Sequence, residues 1–313
     1  MVDLAPDPNK PATKIAVIGL GSMGFGIAES LIRARHEVAG YDVRPEVTAR
    51  FAAGHGGRLR CAASPAEVAA GAGIIVVVVV NADQTAAVLL GEDGAVSAAP
   101  RGAVVVSCAT MAPERARKLA REVTARSLLF LDAPISGGAQ RAREGALTVL
   151  VSGSEAAFTA AAQALDAIAA KLYRLGCEPS IGSSFKIVNQ LLVGVHIAAA
   201  CEAIALAKQL GLDIAKVYEV IKASAGNSWM FKNRVPHILE GGYSPRSATS
   251  IFTKDLGIVV DIERAGTFPA PLSSAALQLF LMTAAAGMAH DDGASVVRLF
   301  ARIAGLEVPA HKV

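Results

Sequence analysis

Between Lys14 and about Gly176, six short aliphatic runs, KIAVIG, EVAGYD, IIVVVVV, AVVVSCAT, LLFLDAP and LTVLVSG, alternate with Ala-rich segments of helical character. A strand that is apolar at every position has no face to offer to water. Such runs need cover on both sides, which is what helices between parallel strands provide. The alternation predicts an α/β layer built on a largely parallel sheet. After Gly176 the pattern changes. Residues 177–184, CEPSIGSS, gather Pro, Gly and Ser, and helix-like stretches follow: a long one from Lys186, then 213–224, 246–265, 273–287 and 293–304. We read residues 1–13 as a disordered tail, 14–180 as an α/β domain and 181–313 as an all-α domain that holds substrate and builds the oligomer.

A chain of 313 residues accommodates two such domains. Its 53% hydrophobic content raises the question of a membrane, but the longest aliphatic run, Ile74 to Val80, is far shorter than a span. The long segment after Lys186 carries His196, Glu202 and Lys208, which marks it as a core helix rather than a transmembrane one. The first residues lack an apolar signal region, which suggests a cytoplasmic protein. Cys61, Cys108, Cys177 and Cys201 are scattered without a CxxC pair, and the histidines show no ligand spacing, so neither a disulfide framework nor a metal site is expected. With 30 basic and 27 acidic residues, the net charge of +3 offers no footprint for nucleic acid. A small molecule is the better partner.

The first run ends in Gly19, Leu20, Gly21, Ser22, Met23 and Gly24, a GxGxxG turn with a helical stretch behind it. In this context the first glycine permits a tight turn, the second lets backbone approach a pyrophosphate, and the third allows close helix packing. The helix N-terminus then faces the anion. Asp42 ends the second run, where a carboxylate accepts from ribose hydroxyls and repels a 2′-phosphate. The 14–180 domain is therefore read as Rossmann-type and the cofactor as NAD rather than NADP. Arg44, two residues on, is the feature that pulls toward a phosphate.

A second cluster is more open in its reading. Ser136, Gly137 and Gly138 follow a strand end and form a turn suited to a carboxylate, although SGG by itself is a common loop. Lys186 begins an apolar helix, with Asn189 and Gln190 three and four residues on and so on its face. An ammonium there must snorkel to water or find a polar partner. An exposed polar first turn would give the same pattern.

The segments IGLGSMG, DAPISGG, GSSFKIVNQ and IFTKDLGIV occur in this order between residues 18 and 260, and in them the chain resembles the β-hydroxyacid dehydrogenase family, which includes 3-hydroxyisobutyrate dehydrogenase and tartronate semialdehyde reductase. Residues 227–257 and the later AAGMAHDD resemble the L-threonate-oxidising branch. The resemblance implies Lys186 as catalytic lysine, Ser136, Gly137 and Gly138 as the substrate-carboxylate turn, and Thr110, Asn81 and Lys254 as cofactor contacts. Many relatives have Asn at both positions where this chain has Asn189 and Gln190, so Asn189 is taken as the substrate-orienting amide with Gln190 as second choice. Gly242 and Ser250 stand where the threonate branch carries acidic residues.

The reaction implied is hydride transfer between a small hydroxy acid and nicotinamide, with L-threonate oxidised at C2 as the first choice. Tartronate semialdehyde reduction and 3-hydroxyisobutyrate oxidation are the enzymatic alternatives, and a catalytically silent dinucleotide-binding interaction module is the non-enzymatic one. Asp255 is read as a structural ion pair or cap, and Phe252 as packing. The long apolar helix predicts a homodimer or homotetramer.

Overall fold

The computed structural model describes residues 13–53 and 59–309; the tail read at residues 1–13 lies outside them except for Thr13. The described chain divides between Lys186 and Ile187 into two compact units.

The first unit contains strands β1 (Lys14–Ile18), β2 (Glu37–Tyr41), β3 (Leu59–Cys61), β4 (Ile74–Val77), β5 (Val104–Ser107), β6 (Leu129–Asp132), β7 (Ile135–Ser136), β8 (Leu147–Gly153) and β9 (Ala169–Gly176). Between them run helices α1 (Ser22–Arg33), α2 (Pro45–Ala53), α3 (Pro65–Ala69), α4 (Ala82–Leu90), α5 (Pro113–Thr124), α6 (Gly138–Glu144) and α7 (Glu155–Ile168). The sheet order is β3-β2-β1-β4-β5-β6-β8-β7, with β9 also on β8. From β3 to β6 every pairing is parallel, with Val17 opposite Gly40 on one side and Val76 on the other. β8 runs antiparallel to β6 and β7 but parallel to β9. The sheet is mixed, with a parallel heart.

Each central strand feeds two cores in turn. Ile15, Val17, Ile74, Val76, Val104 and Val106 point to the face covered by α1 and α7, where Ile27, Leu31, Phe158 and Leu165 pack. Ala16, Ile18, Ile75, Val77 and Val105 point to the other, against Val68, Leu89, Leu119 and Val123. The two-residue side-chain period explains why continuous apolar runs were the right signal.

The second unit is helical, apart from the first turn of α8 (Ile181–Gln209), which belongs to the first unit. It continues with α9 (Ile214–Ile221), α10 (Trp229–Glu240), α11 (Thr249–Ala265), α12 (Pro271–Thr283) and α13 (Val296–Ala304). Its core gathers Ile197, Cys201, Ile204, Phe231, Val235, Ile238, Leu256 and Val296 around Phe252 and Phe280, whose rings stack at 4.9 Å.

Several elements depart from the sequence reading. β3, β7 and β9 were not among the apolar runs, and β9 carries Lys171 and Arg174 on a largely exposed strand, so it never presents an apolar pattern. The aliphatic run read from Ile74 to Val80 leaves the sheet at Val77, and Asn81 stands at the head of α4. α10 was missed because Pro236 lies inside it. The carbonyl deprived of a helical donor there is that of Lys232, and the Tyr218 hydroxyl donates to it at 3.4 Å.

Candidate active site

The residues with chemistry in the first unit collect at the carboxyl ends of its strands, where open α/β sheets bind ligands. β1 delivers the chain to Gly19, whose φ is +91° and whose N–H donates to the Tyr41 carbonyl at 2.8 Å. A Cβ on Gly19 would overlap the Val78 carbonyl oxygen, and one on Gly24 would overlap the Gly19 carbonyl oxygen. Both positions are closed to side chains. Gly21 differs: the nearest atom to a Cβ there is an Arg44 guanidinium nitrogen, 3.9 Å away. α1 starts with no side chain capping it, and its first intrahelical bond is from the Phe25 N–H to the Gly21 carbonyl, 2.8 Å. Amides of Ser22, Met23 and Gly24 are thus left for an anion. An uncapped helix start beneath an open glycine fits a dinucleotide pyrophosphate.

Asp42 follows β2 and is buried. Its Oδ2 accepts from the Leu20 N–H at 2.8 Å, and Oδ1 accepts from the Arg44 N–H at 3.0 Å and from Arg44 Nε at 2.9 Å. Burial pushes the carboxyl upward, but the hydrogen bonds and charge of Arg44 with the Leu20 N–H outweigh it and hold Asp42 below the ordinary carboxylate range. The carboxylate and Arg44 therefore form one unit at the glycine turn. Asn81 caps α4: its side chain accepts from the Gln84 N–H at 2.9 Å, while Gln84 Oε1 accepts from the Val80 N–H at 2.9 Å. Thr110 lies half-buried past the end of β5, between buried Ala109 and Met111.

The second cluster also takes a definite geometry. Ser136 ends β7, and Gly137 (φ +142°) and Gly138 (φ +82°) turn the chain into α6 with torsions that other residues rarely adopt. Lys186 is only 6% exposed, and its Nζ donates to the Ile135 carbonyl at 2.9 Å. The partner demanded by the sequence is the residue just before Ser136. Also at this edge is a carboxylate that the sequence reading passed over, Asp132, which binds Ser183 of α8. Both lie inside the segments DAPISGG and GSSFK, and a buried acid at a strand end was the available signal.

Asn189 and Gln190 continue α8 in the second unit. Asn189 Nδ2 donates to Gln190 Oε1 at 2.9 Å, Gln190 Nε2 donates to Asp255 Oδ2 at 2.5 Å, and Lys254 Nζ pairs with Asp255 Oδ1 at 2.5 Å. Gln190 is spent on both sides. Asn189 keeps its carbonyl oxygen without a hydrogen bond among the described residues, and Asp255 is the buried hinge of the chain that orients it. A cavity of about 760 Å³, lined by Lys14, Arg35, His36, Glu37 and Glu67 among others, opens at the amino ends of β1 and β2, away from all these groups.

Comparison with known proteins fits this arrangement. Residues 14–176 match the family profile described as the NAD binding domain of 6-phosphogluconate dehydrogenase, and residues 181–300 match the NAD-binding domain of NADP-dependent 3-hydroxyisobutyrate dehydrogenase. L-threonate dehydrogenase of Cupriavidus necator is 51% identical over 295 residues, covering 94% of this chain and 97% of that protein. The Escherichia coli enzyme of that name is 41% identical over 298 residues, covering 95% and 97%. The crystal structure of 3-hydroxyisobutyrate dehydrogenase from Salmonella typhimurium superposes with a TM-score of 0.85 at 44% identity, over 92% of this chain and 99% of that one. Fold and relatives define an NAD(P)-dependent dehydrogenase of hydroxy acids. The chain belongs to the β-hydroxyacid dehydrogenase family, as its four ordered motifs suggested.

Proposed function

We propose that the protein interconverts L-threonate and its 2-keto acid, with NAD as cofactor. The observation that carries this reading is the hydrogen bond from Lys186 Nζ to the Ile135 carbonyl, which holds an ammonium beside the Ser136–Gly138 turn in a chain 51% identical to an L-threonate dehydrogenase. The turn binds the substrate carboxylate and so selects which carbon reacts. As the neutral amine, Lys186 accepts the proton of the C2 hydroxyl during oxidation; the ammonium so formed stabilises the developing alkoxide and gives the proton back during reduction. Asn189, one helical turn further on, offers its carbonyl oxygen to a substrate hydroxyl. Gly19 to Gly24, Asp42, Asn81, Thr110 and Lys254 are assigned to the dinucleotide, which when bound takes up the hydride.

Asp42 supports NAD over NADP: an ionised carboxylate at the ribose position repels a 2′-phosphate, and its pairing with Arg44 withholds that cation from the phosphate. A different small hydroxy acid, such as 3-hydroxyisobutyrate, is favoured by one feature, the half-buried Gly242 and Ser250 at positions where the threonate branch is acidic. Phe185, Val188, Leu192 and Leu206 lie along one face of α8 at steps of three, four and fourteen residues, the last being two heptads, and are 48 to 63% exposed, which supports a homodimer or homotetramer built on residues 181–313. Four free cysteines suit a reducing cytoplasm.

The test is NADH formation by purified protein with L-threonate, D-threonate, 3-hydroxyisobutyrate and glycerate, NADP in parallel and Lys186→Ala as control. L-threonate should give the highest kcat/KM, and the alanine variant should lose about 100-fold or more in kcat. Preference for another acid would replace the substrate; full activity of Lys186→Ala would remove the lysine from the chemistry.

A further inference from the structure

Helix geometry leaves the first N–H groups of α8 without acceptors inside the helix. Two of them find acceptors on the sheet. The Gly182 N–H donates to Ser152 Oγ near the end of β8 at 2.9 Å, and the Ser183 N–H donates to Asp132 Oδ2 at the end of β6 at 2.7 Å. The Ser183 hydroxyl donates to the other carboxylate oxygen, Asp132 Oδ1, at 2.8 Å. Capping therefore comes from side chains 30 and 51 residues away in sequence rather than from the residue that precedes the helix. A Cβ on Gly182 would lie 2.5 Å from the Leu150 carbonyl oxygen and 2.7 Å from that of Asp132, so only glycine permits this approach.

Asp132 is 1% exposed and faces a helix N-terminus, where the aligned peptide dipoles favour a negative charge. Three residues beyond it, the Ile135 carbonyl accepts from Lys186. Ser183 and Lys186 are themselves three apart on α8 and share a face. A single helical turn thus grips residues 132–135 twice, at Asp132 through Ser183 and at Ile135 through the ammonium, immediately before the Ser136–Gly138 turn.

We propose that Asp132 is a positioning residue for Lys186: acting through Ser183, its carboxylate anchors the first turn of α8 to the strand end that leads into the substrate turn, and so sets where the ammonium lies. The assignment rests on the reading of Lys186 as the proton-transferring group. Burial pushes the Asp132 carboxyl up to about 6, against the pull of the Ser183 N–H and hydroxyl and the Ser180 N–H, so the anchor is charged at neutral pH. The neighbouring Cys108 thiol is pushed up to about 12, by burial first and then by Asp132, and stays neutral.

The experiment compares Asp132→Asn, Asp132→Ala, Ser183→Ala and Lys186→Ala with the parent in three readouts. These are kcat and KM for L-threonate across pH, NADH affinity by fluorescence, and the titration of Lys186 by NMR in protein isotope-labelled at the lysine ε-carbon. The Lys186 resonance is the one missing from Lys186→Ala. Positioning predicts that Ser183→Ala and Asp132→Asn lower kcat by about tenfold or more, keep NADH affinity, and shift both the pH–rate limb and the Lys186 titration. An anchor that only stabilises the fold would lower the melting temperature while kcat and the Lys186 titration at 25 °C stay put, and that result overturns the proposal. Should Asp132→Ala fail to fold, Asp132→Asn and Ser183→Ala still decide. Full activity of Lys186→Ala sinks the reading of the lysine and the proposal together. An inactive Lys186→Ala beside unmoved anchor variants sinks the proposal alone.

Discussion

Asp42 and Arg44 show how two residues set a selectivity. Each could read the cofactor alone, the carboxylate favouring a ribose hydroxyl and the guanidinium a phosphate, but here Arg44 Nε is tied to Asp42 Oδ1 at 2.9 Å. Removing the acid frees the base. Asp42→Ser should therefore raise the ratio of kcat/KM for NADP over NAD by about tenfold or more, the equivalent of one ionic contact, and steady-state kinetics with both cofactors would show it. An unchanged ratio would mean that neither residue reads the 2′ position. At this scale much was legible: the GxGxxG turn, Asp42, the SGG turn and the need of Lys186 for a partner are all local patterns. What was not legible was non-local. Nothing in the sequence couples Ser183 to Asp132 or Gln190 to Asp255, because those contacts exist only once strands and helices are placed.

Helix ends and loops carry the next level of argument. The folded-state pKa of Asp132 lies above the ordinary 3.8, so the folded protein holds this proton more tightly than the unfolded chain does. Its contribution to stability is complete below about pH 4 and declines as pH rises to about 6. Urea unfolding between those limits should show that decline in the parent and a flatter profile in Asp132→Asn. In the helical unit, Asp292 has the opposite sign. Burial pushes its carboxyl up, but His237, Arg234 and the amides of Ala294 and Ser247 pull it below the usual range, so its contribution is present above about pH 4 and lost in acid. Its oxygens accept from the Arg246, Ser247 and Ala294 N–H groups at 3.0 to 3.2 Å, with Arg234 at 3.6 Å, joining the loop before α11 to the turn before α13. Asp292→Ala leaves a buried guanidinium without its counter-charge and should cost about 3–5 kcal/mol in chemical denaturation. Elements with strong periodicity were legible, and the exceptions have reasons: α10 hides behind Pro236, and β9 is an edge strand bearing charges.

At the scale of the whole molecule, the apolar residues left on the outer face of α8 determine the expected assembly. Leu206→Glu places a charge in that stripe and should lower the mass seen by light scattering at micromolar concentration without loss of helix content by circular dichroism; a parent that is monomeric at every concentration would remove the premise. The sequence conveyed the order of an α/β half and a helical half because their hydrophobic patterns differ. It could not convey that the compact units meet inside α8, between Lys186 and Ile187. That placement has a practical consequence for anyone wishing to cut the protein in two. Proteases nick exposed, extended chain, and an α-helix offers them none at this boundary. A gene fragment stopped at residue 176, where the first family match ends, would strand Asp132 and Ser152 without the amides they bind. One stopped at 186 would end in a stub barely longer than a helical turn, too short to hold its shape unaided. The nucleotide-binding half is thus no transferable cassette: its own last residues, 181–186, are the opening of a helix that continues into the half that follows.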